Sequence, residues 1–357
     1  MPICGGCRRC DTRGMIRAAA DARAALEALV GEPLEAAELS HEVDAALGDV
    51  LHYDGWCLFG VDPGSGLRVA QFGGRGTDYT SDLARNEAVM SDVNRYAELA
   101  LAPIPVGWLS PEHVGAKGSF RYNQTIRPSG FRSELRAVLR DGGQVWGGVT
   151  LFRESCSRPY GEPDVQLAAS LLTPLARTLR GFAVRDIPRR GDAPPAGVIA
   201  MSRGGGIATI SPGAQQWLED LVPGGTEDST TAENMTRVAH DAAYAVRRGD
   251  GARAATCLRT VRGHWLRVEA VPLNLGEVDV AVTLQATSAT QVARTMAEAC
   301  GLTARERQVL HLLIQGQPAK RIARRLGVSV LTVNGHLRST YRKCHVRGRD
   351  ELFARLT

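Results

Sequence analysis

The last fifty-odd residues of the chain constrain its fold and function most. Between residues 302 and 356, apolar side chains recur at helical spacing in four short runs, each separated from the next by glycine or a capping residue. Thr303 and Glu306 have the spacing of a capping box, which begins the first helix. Gly316 and Gly327 end the first two helices, because glycine readily adopts the left-handed conformation at a helix end. The pattern predicts a small all-α domain of four helices.

The third of these helices is predicted from about Val330 to Lys343 and has two unlike sides. Its inward positions recur at steps of four, three and four, and they are Val333, Leu337, Thr340 and Cys344. The residues that share the outward side are Asn334, Gly335, Arg338 and Arg342. A helix of this length spans about 20 Å, and its cylinder fits the major groove of B-DNA, which is about 12 Å wide. We interpret it as a recognition helix; the alternative is a surface helix whose charges are simply solvated.

Charge is distributed unevenly along the chain. Residues 301–357 carry twelve Lys and Arg against three acidic residues, whereas residues 1–300 carry 31 against 35. The net charge is therefore +9 for the tail and −4 for the rest, which agrees with +5 for the whole chain. This asymmetry favours a polyanion as the partner of the basic end and a different role for the acidic front.

Four sequence motifs follow one another in the tail. They are LTARE at 302–306, IARRLGVS at 322–329, TVNGH at 332–336 and RDEL at 349–352. Together they resemble the LuxR-type helix-turn-helix domain of bacterial transcription regulators, and the resemblance covers essentially all of residues 302–356. It implies sequence-specific binding of double-stranded DNA, regulation of transcription, action as a homodimer, and RNA polymerase as a further candidate partner.

The resemblance also implies roles for individual residues of this chain. The residues at positions that read bases are Asn334, Gly335 and Arg338. The residues at positions that contact phosphates are Lys320, Arg321, Thr332, Arg342 and Lys343. The fourth helix would supply a dimer contact through Leu352, Phe353 and Leu356, with packing inside the domain as the open alternative.

Two residues depart from the usual family pattern. Asn334 replaces a lysine, which removes a positive charge but allows paired hydrogen bonds to the edge of an adenine. His345 replaces a glycine after the third helix, and histidine enters left-handed conformations more readily than bulky apolar residues do. We therefore expect the turn after the third helix to survive the replacement.

The first 300 residues have room for two further domains. Residues 15–185 begin with two helices and continue with strands at 52–62 and 67–74, a helical middle, a hairpin at 133–140 and 144–153, and a long helix from about 162 to 180. This order resembles a GAF-type sensor domain. Residues 1–14 are interpreted as a leader of uncertain order.

A Pro- and Gly-containing linker at 186–197 precedes a further segment. Residues 198–290 begin with the order strand, turn, strand and helix, continue with two later strands, and resemble a PAS domain. With the DNA-binding domain at 298–357, we expect an α+β multidomain fold in which two sensor-like α/β segments precede an all-α four-helix domain.

A sheet flanked by helices can enclose an apolar pocket for a small effector. Trp56, Phe59 and Trp146 are candidates to line such a pocket, although large aromatic residues more often fill a core. We hypothesise that an effector or partner acts on the front of the chain and changes how the tail binds DNA.

Cysteines raise a second possibility. Cys4, Cys7 and Cys10 form a CxxCxxC pattern that could supply three thiolates to zinc or an iron–sulfur cluster. No fourth ligand is evident, so an untidy or misassigned leader is the preferred interpretation and no cofactor is expected. The alternative to an effector-controlled regulator is an enzyme or a metal or redox sensor with an appended DNA-binding domain.

Other function classes lack their sequence signatures. The chain has no HExxH, GxSxG or P-loop motif, so we expect no enzymatic activity. A sigma factor would need an aromatic-rich basic helix upstream, and only 5% of the residues are aromatic. No apolar run reaches the length of a membrane span, and charged residues interrupt the N-terminus where a signal peptide would be apolar. These features favour a cytoplasmic location without a membrane partner.

Overall fold

The computed structural model describes residues 12–32, 34–77, 81–185, 187, 189–221, 229–249 and 254–356. These residues form two five-stranded antiparallel sheets with associated helices, followed by a helical carboxyl end. The predicted α+β multidomain fold is therefore confirmed. Cys4, Cys7 and Cys10 lie outside the described residues.

The first sheet domain has the element order that the GAF resemblance predicted, with one further strand. Its helices and strands are α1 (Thr12–Ala28), α2 (Ala36–Leu51), β1 (Gly55–Val61), β2 (Arg68–Gly73), α3 (Ser81–Val89), α4 (Tyr96–Leu99), β3 (Val106–Leu109), β4 (Phe131–Asp141), β5 (Gln144–Glu154) and α5 (Glu162–Ala183). A π-helical turn at Tyr122–Ile126 precedes β4. The strand order across the sheet is β2-β1-β5-β4-β3.

The β4–β5 hairpin forms the centre of this domain. Asp141 pairs with Gln144 across a two-residue turn, in which Gly142 and Gly143 both have positive φ. Type I′ hairpin turns require this conformation, which explains the two glycines. Because side chains alternate along strands, one face of the sheet carries Leu135 and packs into the core formed with α1, α2 and α5.

The second sheet domain repeats the strand order of the first. Its elements are β6 (Gly197–Ser202), β7 (Ile207–Ile210), α6 (Pro212–Glu219), α7 (Ser229–Arg247), β8 (Ala255–Arg259), β9 (Trp265–Leu275) and β10 (Val278–Ala286). The order β7-β6-β10-β9-β8 places the domain's second, first, fifth, fourth and third strands side by side, as in the first sheet. Trp217 of α6 is completely buried in its core. The strand β8 was not predicted from the sequence.

The carboxyl end consists of five helices, of which the sequence predicted the last four. They are α8 (Ala289–Ala299), α9 (Ala304–Ile314), α10 (Ala319–Leu326), α11 (Val330–Lys343) and α12 (Arg349–Leu356). The additional helix α8 follows directly from β10 and packs against both α9 and α12. It also touches α5 and β8, so it joins the helical end to both sheet domains. None of the helices described is long and apolar enough to cross a membrane.

Candidate nucleic-acid interface

A tight turn sets the position of α11 relative to α10. Gly327 follows α10 in the left-handed conformation, with φ of 65°, and the N–H of Val328 donates to the carbonyl of Ala323 at 3.0 Å. Ser329 then caps α11, because its side-chain oxygen accepts a hydrogen bond from the Thr332 N–H at 3.0 Å. The two helices are thus joined by only three residues, which is the arrangement of a helix-turn-helix.

The start of α9 is linked to the end of α11. The Thr303 N–H donates to Glu306 Oε2 at 2.7 Å, and the Glu306 N–H donates to Thr303 Oγ1 at 3.3 Å, as the capping-box prediction requires. Lys343 Nζ lies 2.7 Å from the same Glu306 oxygen. Burial alone raises the pKa of Glu306, but hydrogen bonds from Lys343, Ser339 and Thr303 outweigh it and lower the pKa to about 2.

This ion pair affects one predicted phosphate contact. Lys343 is only partly exposed, and its ammonium group is neutralised by Glu306 and also donates to the Gly301 carbonyl at 3.3 Å. The structure therefore gives Lys343 a bracing role between helices, whereas the sequence pattern had suggested a contact with phosphate. The other four residues at predicted phosphate positions are exposed, and they are Lys320, Arg321, Thr332 and Arg342.

The three predicted base-reading residues lie on one exposed side of α11. Asn334, Gly335 and Arg338 are all exposed, while Val333 and Thr340 point into the core of the helical end. A Cβ atom added at Gly335 would meet nothing within 4 Å, so packing inside the protein does not require glycine there.

Leu331 belongs to the same side and was missed in the sequence. Its side chain is 80% exposed. It precedes Asn334, Gly335 and Arg338 by three, four and seven residues, which is the spacing of one helical face. That spacing is visible in the sequence, but the residue was overlooked because the outward side had been defined by polar residues alone. An exposed apolar side chain here suits contact with a thymine methyl group.

The turn after α11 forms as predicted. His345 has φ of 52°, in the left-handed region where glycine is usual. The Arg355 guanidinium donates to the carbonyls of Cys344 and His345, both at 3.1 Å, and so closes the corner between α11 and α12.

The fourth tail helix, α12, does not present the predicted dimer surface. Leu352 and Leu356 are each 1% exposed and pack in the same core as Val292 and Met296 of α8, and Phe353 is partly buried against this core. Helix α12 is also held by the second sheet domain, since Trp265 Nε1 donates to the Arg355 carbonyl at 3.2 Å. The two leucines therefore have the alternative role of packing inside the chain, because α8 occupies the face that the sequence left open.

The helical end of the chain matches a known protein family. Residues 301–356 match the family described as bacterial regulatory proteins, luxR family. These residues are a LuxR-family domain. The domain contains α9 to α12, and its helix-turn-helix consists of α10 and α11. No curated protein sequence matches the chain.

Solved structures give weaker similarities over the chain. An extracellular ligand binding receptor from Desulfohalobium retbaense DSM5692 is 11% identical with a TM-score of 0.21, over 77% of this chain and only 38% of the receptor. The sensor region of a sensor histidine kinase is 17% identical with a TM-score of 0.18, over 73% of this chain and 97% of that one. The E. coli DhaR(N)-DhaL complex is 11% identical with a TM-score of 0.22, over 78% and 92%. At such TM-scores they add nothing to the fold described above.

A cavity of about 820 Å³ lies where the two sheet domains and α8 of the helical end meet. Its walls come from β1, β2 and α5 of the first sheet domain, from α7, β8 and β9 of the second, and from Thr295 and Ala299 of α8. Helix α8 therefore lines the cavity on one side and packs against α9 and α12 of the LuxR-family domain on another.

Two of the three predicted pocket residues line this cavity. Trp56 and Trp146 are in its wall, but Phe59 is not. Phe59 is three residues from Trp56 on the same strand, so it points to the opposite face of the sheet. There it packs edge-on against Tyr96, with ring centroids 4.8 Å apart, and under the Arg68 guanidinium at 4.1 Å.

That opposite face is filled by buried charges. Arg121 is 1% exposed and donates to both oxygens of Glu134, at 2.9 to 3.2 Å, while Arg136 contacts Glu134 and Glu87. Burial raises the pKa of Glu87, but the charges of Arg136 and Arg121 outweigh it, so the pKa is lowered. These paired charges and the packed ring of Phe59 occupy the side of the sheet where the sequence had placed part of the pocket.

Proposed function

We propose that the protein is a sequence-specific regulator of transcription that binds double-stranded DNA through α11 and is controlled by an effector or partner at its front. The observation that carries the proposal is the exposed face of α11 inside a LuxR-family domain. This face combines an amide, a guanidinium and an apolar side chain, which are the groups that discriminate base edges in the major groove.

The proposed contacts divide into two kinds. Asn334, Arg338 and Leu331 read bases, and Gly335 lets the helix approach the groove closely. Phosphate contacts come from exposed residues of α10 and α11, namely Lys320, Arg321, Thr332 and Arg342. Phosphate contacts fix the register of the protein on DNA, and base contacts determine its sequence preference.

Control by the front of the chain is supported by the contacts of α8 and Trp265. Helix α8 is one wall of the interdomain cavity and part of the core that surrounds α12. Trp265 lines the same cavity and donates to the Arg355 carbonyl of α12. A change in the cavity therefore alters groups that touch the DNA-binding helices, which is the physical requirement for coupling between two sites.

A salt titration of DNA binding tests this proposal. Duplexes selected from a random-sequence pool by the full chain are titrated by fluorescence anisotropy at several salt concentrations. A homodimer that uses Lys320, Arg321 and Arg342 should give a slope of log K against log salt of about −5, since each phosphate contact contributes about −0.9. A slope near zero, or failure to select any sequence, would contradict the proposal.

A further inference from the structure

Two buried cysteines meet where α8 and α11 end. Cys300 follows α8 and Cys344 follows α11, and both are free thiols in the core of the helical end. Their exposed fractions are 7% and 2%. The two side chains share a hydrogen bond, so their sulfur atoms are neighbours although the residues are distant in the sequence. Packing alone does not require two thiols at one point of a core, where small apolar side chains would serve.

Contacts on both sides of the pair fix its position. The N–H of each cysteine donates to the carbonyl four residues earlier, at 2.7 Å for Cys300 and 2.9 Å for Cys344. The residue before Cys344 is Lys343, whose Nζ donates to the Gly301 carbonyl at 3.3 Å. Gly301 is the residue that follows Cys300. On the other side, the Arg355 guanidinium donates to the Cys344 carbonyl at 3.1 Å. The ends of α8 and α11 are therefore held together around the two thiols.

The surroundings of the pair make one thiol more acidic than the other. The hydrogen bond from Cys300 lowers the pKa of Cys344, and the positive charge of Arg355 acts in the same direction against the effect of burial. The negative charge of Glu306 opposes them, but this carboxylate is paired with Lys343. The same hydrogen bond and burial raise the pKa of Cys300. Cys344 is therefore the thiol that forms a thiolate, which is the nucleophilic form of cysteine.

The pair lies close to the protein surface although its sulfur atoms are covered. Gly301 and His345, the residues that directly follow the two cysteines, are both exposed. A small neutral molecule such as hydrogen peroxide, which is little larger than water, therefore has a short path to the sulfur atoms. A bulkier reagent reaches them only when the helices separate.

We propose that Cys300 and Cys344 are a modification site, at which hydrogen peroxide forms a reversible disulfide within the chain. The Cys344 thiolate attacks one peroxide oxygen, an S–O bond forms, and the O–O bond breaks. The departing hydroxide takes up the proton that Cys344 had released and leaves as water. The Cys300 sulfur then attacks the sulfur of this sulfenic acid, so that an S–S bond forms and the S–O bond breaks.

The hydroxide released in this second step takes up the Cys300 proton and leaves as a second water. In all, the two thiols lose two electrons and two protons, and the peroxide is reduced to two molecules of water. A dithiol reductant reverses the change by thiol–disulfide exchange.

The disulfide would join α8 covalently to the end of α11. Helix α8 lines the interdomain cavity and packs against α9 and α12, and in the reduced chain these contacts are noncovalent. A bond between residues that are distant in the sequence also restricts the unfolded chain and so stabilises the folded one. The inference concerns the chemistry of the chain itself and stands whether or not α11 reads a base sequence.

Disulfide mapping of the oxidised full chain tests the proposal. The chain is reduced with dithiothreitol, desalted and treated with a small excess of hydrogen peroxide at neutral pH, and the remaining thiols are blocked with iodoacetamide in urea. Trypsin cleaves after lysine and arginine, so Cys300 lies in the peptide 295–305 and Cys344 in the peptide 344–347. We expect the product that joins these two peptides to be the most abundant disulfide. Dithiothreitol should abolish it.

Cys257 provides the matched control, because it is also buried but its sulfur lies 3.4 Å from Thr287 Oγ1. Cys257→Ser should keep the joined peptide at the native level. Cys344→Ser should abolish it and leave Cys300 as a thiol that iodoacetamide labels in urea. If oxidation consumes the exposed Cys156 while both peptides of the pair are still fully alkylated, or joins them chiefly to other cysteines, the inference is overturned.

Two measurements on the native chain decide the case in which Cys344→Ser fails to fold. When the oxidation is repeated in urea, the share of this disulfide among all disulfides should fall by about threefold or more, because loop closure in an unfolded chain favours cysteines close in the sequence. Equal shares would overturn the inference, since the fold would then not bring the thiols together. The melting temperature of the joined chain should be higher by about 5 °C or more than that of the reduced chain. A lower value would also overturn the inference, because the bond would then distort the fold.

Discussion

Lys343 Nζ lies 2.7 Å from Glu306 Oε2, and this contact joins the end of α11 to the start of the LuxR-family domain. The carboxylate also belongs to the capping box of α9, so one side chain fixes both helices. The orientation of α11 therefore depends on a partly buried ion pair as well as on its apolar face.

Replacing Lys343 with methionine should destabilise the domain without removing a phosphate contact. The Glu306 carboxylate would lose a charge-assisted hydrogen bond, at a cost of about 1.5 to 3 kcal/mol in the free energy of unfolding. The salt slope of DNA binding should stay the same, because Lys343 contacts Glu306 and the Gly301 carbonyl instead of a phosphate. Urea unfolding and salt titration test both points. The matched control Lys320→Met should leave stability unchanged and make the slope shallower by about 0.9 per protomer. A Lys343→Met variant with unchanged stability and a shallower salt slope would refute the bracing role of Lys343.

The same pair gives a prediction for acid unfolding. Glu306 has a folded-state pKa of about 2, below its ordinary value of 4.5, so it binds protons more weakly when folded. Its contribution to stability is complete above about pH 4.5 and is lost as the pH falls through about 2. The difference in unfolding free energy between the native chain and Glu306→Gln, from urea titrations at pH 6 and 3, should therefore be smaller at pH 3. A difference independent of pH would contradict the lowered pKa.

Gly335→Ala should change stability and DNA binding in opposite directions. Space is open around this position, and alanine in a helix interior is about 0.5 to 1 kcal/mol more favourable than glycine. The melting temperature should therefore rise. If α11 approaches the groove closely at Gly335, the added methyl group should lower DNA affinity. A variant that is more stable and binds DNA at least as tightly would show that glycine is only tolerated there.

Cysteine alkylation tests the contact between Cys300, which follows α8, and Cys344, which follows α11. Contact with Cys344 and burial both raise the pKa of the Cys300 thiol, which holds it in the unreactive protonated form, whereas Cys156 is exposed. Iodoacetamide at pH 8 should therefore modify Cys156 quickly and Cys300 only after unfolding, as peptide mass spectrometry can measure. Equal rates for the two thiols would mean that α8 does not pack on the domain as described.

The four tail helices could be predicted because their boundaries are local. Thr303, Gly316, Gly327 and Ser329 each begin or end a helix through contacts with residues only a few positions away. The left-handed conformation of His345 was expected from the family resemblance, because a glycine is usual at this position.

The wrong predictions concern residues whose packing partners are distant in the sequence. Leu352 and Leu356 looked available for a dimer because the sequence gave no indication that α8 covers them. The cavity was not predictable because Trp56 and Trp265 line it from opposite ends of the front region. Phe59 is different, since its odd spacing from Trp56 on a strand already indicates the opposite face. That misassignment was avoidable.

The central claim is that α11 reads the base sequence, and binding to a selected DNA site and its single-base variants tests it most directly. We expect Arg338→Ala to lose about 1 to 3 kcal/mol of discrimination at one base pair of each half-site. Lys320→Ala should weaken binding to all variants equally and keep the pattern of preferences. If the two substitutions give the same profile across the variants, α11 is not the recognition helix.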